Sequence, residues 1–583
     1  MKKIKILINQ KEIICNEGEL VLNVAQRNGI DIPSLCYHSD LKPSQGCRLC
    51  LISIKDKKGF HTSCSTKAEE GMEIITESEE LTKLRKINLE MLFAQHAEYC
   101  NDCMRNYNCR LLSLANKYKI DIRKFEDRKK EYPAMEFGPA ILFKSAKCID
   151  CGNCIEVCKN QGVNFLEKQE HDGFFEVVPS KQKNKDCVYC GQCIAHCPVA
   201  AFEEVDSIKE VESVLKDKNK FVVFQFAPSI RVSIGEEFGM PHGTVMTDKL
   251  IGAIKELGAK RVFDVSTAAD VTTIEEANEL IERVVKNKKL PMFTSCCPAW
   301  VKFVEFYYPK FIPQLTSVRS PQIIMGGIIK KYISKKENIN PKDIFVVSIM
   351  PCTSKKYEIK RKELKIGGMY PVDCVLTTHE LACMFKSHKI ILNFAKSGKL
   401  DNILDEASGA GIIYGASGGV TESALRTAIR KLTGNKEAKI VFEKVRGMEE
   451  IKEAVVKIGD VSLKIAVVNG LGNAKNILEK LKKNPKIYDY VEIMACPGGC
   501  IGGGGQPVPV DKEIRAKRAE ALYNIDDKKE IRLADDNPVV QTLYREFFND
   551  KKTIHDICHT KYFKKKKEDI KIIKKYGTNK NSK

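Results

Sequence analysis

Apolar and basic residues alternate through Met1-Lys2-Lys3-Ile4-Lys5-Ile6-Leu7-Ile8, the period-two pattern of a half-buried strand. A turn, a second strand and a helix beginning near Leu20 follow. From Phe221 onward the pattern changes to apolar, β-branched runs such as Phe221–Phe226, Arg261–Val265, Ile344–Ile349 and Leu463–Val468, which alternate with amphipathic stretches. That alternation predicts an α/β region with mainly parallel strands. At 583 residues the chain is too long for one core, so several domains are expected.

Composition narrows this picture. The 24 cysteines come in tight groups rather than spread through a small scaffold. No run approaches the roughly 18 apolar residues of a membrane-spanning helix, and the N-terminus lacks the apolar core of a secretory signal. Grouped cysteines without export point to metal ligation in a reducing cytoplasm and not to disulfides. The net charge is +20, and residues 561–583 hold ten lysines against Glu568 and Asp569, which reads as a solvated basic tail. The basic remainder suits an acidic protein partner, and no nucleic-acid-binding module accompanies it. No G-x-x-x-x-G-K-S/T run is present, and Gly470-Leu471-Gly472-Asn473 is only a fragment of a dinucleotide fingerprint. The run Gly502–Gly505 has no following Lys-Ser/Thr, so close backbone packing around a buried cofactor explains it better than phosphate binding.

Four cysteine groups precede residue 200. Cys36, Cys47, Cys50 and Cys64 include a two-residue gap that lets two thiolates reach one centre, and they resemble the β-grasp domain of plant-type ferredoxins with a longer first spacing. His96, Cys100, Cys103 and Cys109 form a second series, in which His96 and Cys100 share a helical face. Zinc suits that donor set as well as iron does. Cys148, Cys151, Cys154 and Cys158 are then followed by Cys187, Cys190, Cys193 and Cys197, the doubled C-x2-C-x2-C-x3-C of two-cluster bacterial ferredoxins. In that fold the fourth cysteine of each run ligates the other cluster, so Cys197 joins the first three and Cys158 the second three.

The most discriminating features lie further on. They are Thr294-Ser295-Cys296-Cys297-Pro298-Ala299-Trp300, Met350-Pro351-Cys352-Thr353-Ser354-Lys355-Lys356 and Ala495-Cys496-Pro497-Gly498-Gly499-Cys500, each after a strand-like segment. Strand ends are where open α/β sheets build their sites. Together these motifs resemble the signatures of the FeFe (di-iron) hydrogenases. The same family and the large iron–sulfur subunit of respiratory complex I share the longer 2Fe–2S loop and a 4Fe–4S cluster held by one histidine and three cysteines. The complex I subunit lacks the three later motifs, assembly-type relatives lack the cysteine at 296, and sensory relatives usually append a signalling domain.

The resemblance implies a cubane on Cys297, Cys352, Cys496 and Cys500, tethered through Cys500 to a di-iron unit with carbonyl, cyanide and azadithiolate ligands (the H-cluster). It implies a cofactor pocket from Ala227, Pro228, Ser229, Gln322, Met350, Tyr414, Gly415 and Met494, with Lys355 toward a cyanide. Cys296 would relay protons, fed by Glu276, Glu279 and Arg283, which lie at i, i+3 and i+7, with a hydroxyl from Thr316 or Ser317 between the glutamates. Tyr414 and Thr421 depart from a usual phenylalanine and methionine, and Asp535-Asp536-Asn537-Pro538 from the usual Ser-His-Glu-Asn-Pro. Leu543-Tyr544 and His559-Thr560-Lys561-Tyr562 still resemble a fused small subunit.

The expected architecture is multidomain α+β and α/β. Its parts are a 2Fe–2S β-grasp domain (1–80), a one-histidine/three-cysteine domain (81–125), a two-cluster ferredoxin domain (139–207), an α/β catalytic domain with parallel sheets (208–506), a small-subunit-like segment (507–563) and a basic tail (564–583). The expected activity is reversible reduction of protons to H2 by a cytoplasmic monomer. Ferredoxin would be its electron partner, maturation proteins would install the di-iron unit, and neither nucleic acid nor membrane would be bound.

Overall fold

A computed structural model describes all residues except 1, 97–99, 101–102, 104, 106–108, 172–173, 435–445, 459–460 and 574–583. The N-terminal alternation forms β1 (Lys3–Ile8), antiparallel to β2 (Lys11–Asn16), with Ile4, Ile6 and Ile8 buried. With β3 (Leu51–Ile54), β4 (Phe60–Thr62) and β5 (Glu73–Ile75) they make a sheet of order β2-β1-β5-β3-β4. Helix Val21–Arg27 buries Val21, Leu22, Val24 and Ala25 in the same core as Ile4, Ile6 and Ile8.

The cysteine-rich middle carries β6 (Ala134–Phe137), β7 (Ile141–Lys144), a hairpin of β8 (Leu166–His171) and β9 (Phe174–Pro179), and β10 (Phe202–Glu204). In the catalytic half come β11 (Phe221–Phe226), β12 (Arg261–Asp264), β13 (Met292–Phe293), β14 (Ile344–Met350) and β15 (Cys374–Thr377). They are followed by β16 (Ile451–Ile458), β17 (Val461–Asn469), β18 (Tyr490–Met494) and, far downstream, β19 (Ile570–Ile573). The sheet β12-β11-β14-β15 is wholly parallel. In the sheet β13-β18-β17-β16 only the β16–β17 hairpin runs antiparallel, since a tight connection cannot join parallel neighbours. Val265, read from sequence as strand, instead starts the helix Val265–Val285, because the Asp264 carboxylate accepts from Ser266 N–H at 2.9 Å and caps it.

The basic tail departs from expectation. Residues 564–573 are not a solvated extension. β19 pairs antiparallel with β6 and completes a sheet of order β10-β7-β6-β19. Just upstream of it, Glu568 accepts from Tyr189 (2.6 Å) and from the fully buried Lys302 (2.9 Å), while Lys567 donates to Ser180 O (2.7 Å). An open sheet edge and a buried ammonium that needs a counter-charge draw this segment in, despite its composition. Residues 574–583 of the tail lie outside the described set.

Candidate metal and active site

The three late cysteine motifs stand at the ends of β13, β14 and β18, so two sheets deliver their loops to one place. Trp300, fully buried, donates to Thr294 O (3.0 Å) and ties helix Pro298–Tyr307 to the end of β13. Cys297, at the helix N-cap, lies within electrostatic reach of Cys352, and Cys496 within reach of Cys352, Cys297 and Cys500. Burial pushes all four thiols up, Cys297 to about 11. In such surroundings thiolates persist only against a cation. Cys496 also approaches the carbonyl of Cys190 at 3.9 Å, joining this set to the doubled cysteine repeat.

Close backbone contact makes that junction possible. A Cβ on Gly504 would stand 2.4 Å from Gly191 Cα, and one on Gly503 would stand 2.1 Å from Pro351 O. The glycine run therefore packs against the cluster loops as its sequence suggested. Within the repeat, Cys148, Cys151 and Cys154 interact with Cys197, whereas Cys187, Cys190 and Cys193 interact with Cys158. Cys151 also senses Cys36. Cys36 and Cys47, and Cys50 and Cys64, form close hydrogen-bonded pairs in the N-terminal domain. His96 Nδ1 bonds to Lys147 O at 2.8 Å, which leaves its Nε2 lone pair for a metal. Cys109 caps helix Arg110–Tyr118, Cys103 lies 3.9 Å from Glu203, and Cys100 is partly exposed; much of the chain between them lies outside the described residues.

Around Cys296 and Cys500 stand Tyr414 and Met494 in one small apolar cluster. Met350 is buried in the neighbouring core. Ala227, Pro228 and Ser229 follow β11 and are buried; the Ser229 hydroxyl has no protein partner, as a hydroxyl facing a bound polar group would not. Gly415 lies against Ser229, where a Cβ would come within 3.3 Å. Four gathered thiols, with an orphaned hydroxyl held against Gly415, fit a cluster with an appended polar cofactor. Lys355 is buried, donating to Cys296 O (3.0 Å) and to Glu358 (2.9 Å). Glu358 also accepts from Ser320 (2.9 Å) and Gln322 (2.6 Å). Sequence reading missed Glu358, although its i, i+3 spacing from Lys355 was a signal. The Tyr414 phenol, which replaces the expected phenylalanine, bonds to Thr273 (2.9 Å).

Helix Val265–Val285 places Glu276, Glu279 and Arg283 as the spacing predicted. Arg283 pairs with Glu279 and donates to Leu315 O (2.7 Å). Thr316 (2.8 Å) and Ser317 (2.9 Å) both donate to Glu279. Among the described residues, however, Glu276 takes its hydrogen bond from Tyr490 (2.8 Å), so the expected hydroxyl between the two glutamates sits on Glu279 alone. Tyr490 comes from β18, some 200 residues away, and no local pattern announces it. Burial, reinforced by the Glu279 charge, pushes Glu276 up to about 8 against the Tyr490 bond. Burial and the Glu276 charge also push the Cys296 thiol well up.

A string of thiol sets ending in a buried, mixed site beside a carboxylate path defines an iron–sulfur oxidoreductase. Family models match throughout: iron-only hydrogenase large subunit, C-terminal domain (220–504); 2Fe–2S cluster binding domain (1–79); NADH-ubiquinone oxidoreductase-G iron–sulfur binding region (85–124); 4Fe–4S dicluster domain (147–201); and iron hydrogenase small subunit (512–565). The chain is 37% identical to iron hydrogenase 1 of Clostridium pasteurianum, over 96% of this chain and all of that protein. It is 36% identical to the NADP-reducing hydrogenase subunit HndD of Solidesulfovibrio fructosivorans, over 97% of this chain and all of that one. A solved variant of FeFe-hydrogenase HydA1 from Chlamydomonas reinhardtii superposes with a TM-score of 0.56 at 37% identity, covering 61% of this chain and 98% of that one. The chain belongs to the iron-only (FeFe) hydrogenase family, whose enzymes act on hydrogen through iron–sulfur clusters and an H-cluster.

Proposed function

We propose that this hydrogenase reversibly reduces protons to H2 with electrons from reduced ferredoxin, as a cytoplasmic monomer. No described helix is long and apolar enough to cross a membrane. The domain division would follow the expectation from sequence, except that β19 of the basic tail joins the sheet of the two-cluster segment, and the cofactors would be one 2Fe–2S cluster, three accessory 4Fe–4S clusters and an H-cluster. Electrons would enter at the accessory clusters and pass from Cys36, Cys47, Cys50 and Cys64, or from His96, Cys100, Cys103 and Cys109, through the doubled repeat to Cys297, Cys352, Cys496 and Cys500. The observation that carries this reading is that Cys190 lies within electrostatic reach of Cys352 and Cys297, with Cys496 Sγ 3.9 Å from the Cys190 carbonyl, while Cys296 lies within electrostatic reach of Glu276.

When bound, the di-iron unit supplies the metal centre at which they combine, and maturation proteins would install it. The chain's own groups do the rest. Ala227, Pro228, Ser229, Gln322, Met350, Tyr414, Gly415 and Met494 wall the pocket, and Lys355, charged and held by Glu358, offers its ammonium to an anionic ligand. Cys296 holds and hands over the proton, and Glu276, nearly neutral at pH 7, reloads it. Glu279, Thr316, Ser317 and Arg283 connect that step toward the surface.

Infrared spectroscopy of anaerobically matured protein should show carbonyl and cyanide stretching bands, and reduced ferredoxin should support H2 evolution. Matured protein with full iron–sulfur clusters but no such bands would refute the reading. One relative is a subunit of an NADP-reducing hydrogenase. In this chain Gly472 of the dinucleotide-like fragment abuts Asn160 O, where a Cβ would stand at 2.1 Å, so that glycine serves packing. H2-driven reduction by the isolated chain should therefore proceed with ferredoxin and not with NADP.

A further inference from the structure

Arg283 ends the carboxylate path with a guanidinium, which does not release protons near neutral pH. A path that draws on solvent needs an outer group that titrates there. Beside Arg283 lies a recess of about 730 Å³ lined by Glu275, Glu279, Ser317, His555 and His559. Within it Ser317 Oγ donates to Glu279 at 2.9 Å and sits 2.9 Å from His559 Nδ1. His559 Nε2 lies 3.3 Å from Glu275, whose other oxygen accepts from Tyr544.

We propose that His559 collects protons from solvent and passes them through the Ser317 hydroxyl to Glu279. This step rests on the relay from Glu279 to Cys296 proposed for the function. A proton from water enters at Nε2. The imidazolium then loses its Nδ1 proton to Ser317 Oγ as Ser317 gives its own to Glu279, so a solvent O–H bond and the Nδ1–H bond break, an Nε2–H bond and a carboxyl O–H bond form, and no electron moves; exchange of the ring protons with solvent restores the Nδ1–H tautomer for the next cycle. An imidazole can accept a proton at one ring nitrogen and donate from the other, which suits it to a position between solvent and the Ser317 hydroxyl. Burial would raise Glu275, but the His559 and Tyr544 hydrogen bonds outweigh it and hold that carboxyl low, so an anion faces the ring. The other charged groups about His559 are Glu279 beyond Ser317, Arg283, Lys289, Lys551, Lys561 and His555 around the recess, and Arg319 on its carbonyl (2.7 Å). The backbone of His559 is structural as well, since its N–H donates to His555 O and it bridges Val318. Those contacts survive a change of side chain.

The test uses matured holoenzyme carrying His559→Ala or His559→Gln, with a dye donor in weakly buffered solution from about pH 6 to 9. The infrared bands should match wild type, H2 evolution should fall roughly fivefold, and added imidazole should restore much of the rate to His559→Ala. Imidazole should not rescue Glu279→Gln, whose defect lies further in. Wild-type rates and pH profile in both His559 variants would overturn the proposal, as would a loss that imidazole leaves untouched. If Cys296→Ser and Glu279→Gln also keep full turnover, the relay reading itself falls; if they lose it while the His559 variants do not, only the His559 step is wrong.

Discussion

On the proposed reading, adjacent thiols at 296 and 297 would divide two roles that a single cysteine cannot share. Cys297 caps a helix and faces the other three thiols, whereas Cys296 faces Glu276. Cys296→Ser should therefore abolish nearly all H2 evolution while leaving the carbonyl and cyanide bands intact, because a hydroxyl is too weak an acid to deliver protons. Aspartate at 296 should recover part of the rate. Cys297→Ser or Cys500→Ser should lose the bands themselves, since a neutral hydroxyl is a poor ligand for iron. Undiminished turnover in matured Cys296→Ser would contradict this division. Both roles are proposed from the sequence, because each cysteine carries its motif with it. Glu358 and Tyr490 were not legible there: each acts on a motif residue from a neighbouring turn or a distant strand, and only packing brings them in.

Helix Val265–Val285 is buried along most of its length and carries Asp270, which accepts from Ser408 N–H (2.9 Å) and Asn537 (2.8 Å). Burial pushes Asp270 up to about 7 against these bonds. An acid that holds its proton more tightly when folded adds stability at low pH, and that contribution is lost as pH rises from about 4 toward 7. Thermal unfolding midpoints of Asp270→Asn should accordingly gain on wild type between about pH 4 and 7 and hold that gain above it; a constant difference across that window would show that Asp270 titrates as an ordinary carboxylate. β19 gives a second test at this scale. Deleting 564–583 removes Glu568 from buried Lys302, leaving it Asp186 at 3.1 Å, and should cost about 1–3 kcal/mol; an unchanged unfolding midpoint would show that β19 and Glu568 add nothing. Periodicity located β11, β12, β14 and β17 within two residues and left β13, β15 and β16 unplaced; it also missed β19, because lysine-rich composition masked a short run of isoleucines whose partner edge is invisible from sequence.

Across the whole molecule the five donor sets imply about 18 irons before the di-iron unit is counted. Anaerobic analysis of fully loaded protein that finds roughly 14 or fewer would remove one cluster, and zinc at His96, Cys100, Cys103 and Cys109 would identify which. The net charge of +20 should make ferredoxin-driven H2 evolution fall as salt rises, while a small dye donor shows little change. A flat response with both would exclude steering. The order of the donor sets was legible in the cysteine spacing; their convergence was not, since it depends on glycine contacts such as Gly191 against Gly504 between segments far apart in the chain.

The pairing of β19 with β6 also has a consequence for biosynthesis. Lys571 meets Glu136 across 435 residues of intervening chain. At elongation rates of about 5–20 residues per second, the edge of β6 waits about 20–90 s for its neighbour. The two-cluster segment thus emerges from the ribosome well before its sheet can close, and for that interval its cysteines and its open edge depend on the cell for protection from oxidation and misassociation. Insertion of iron into that segment and completion of translation are in this way placed on the same clock.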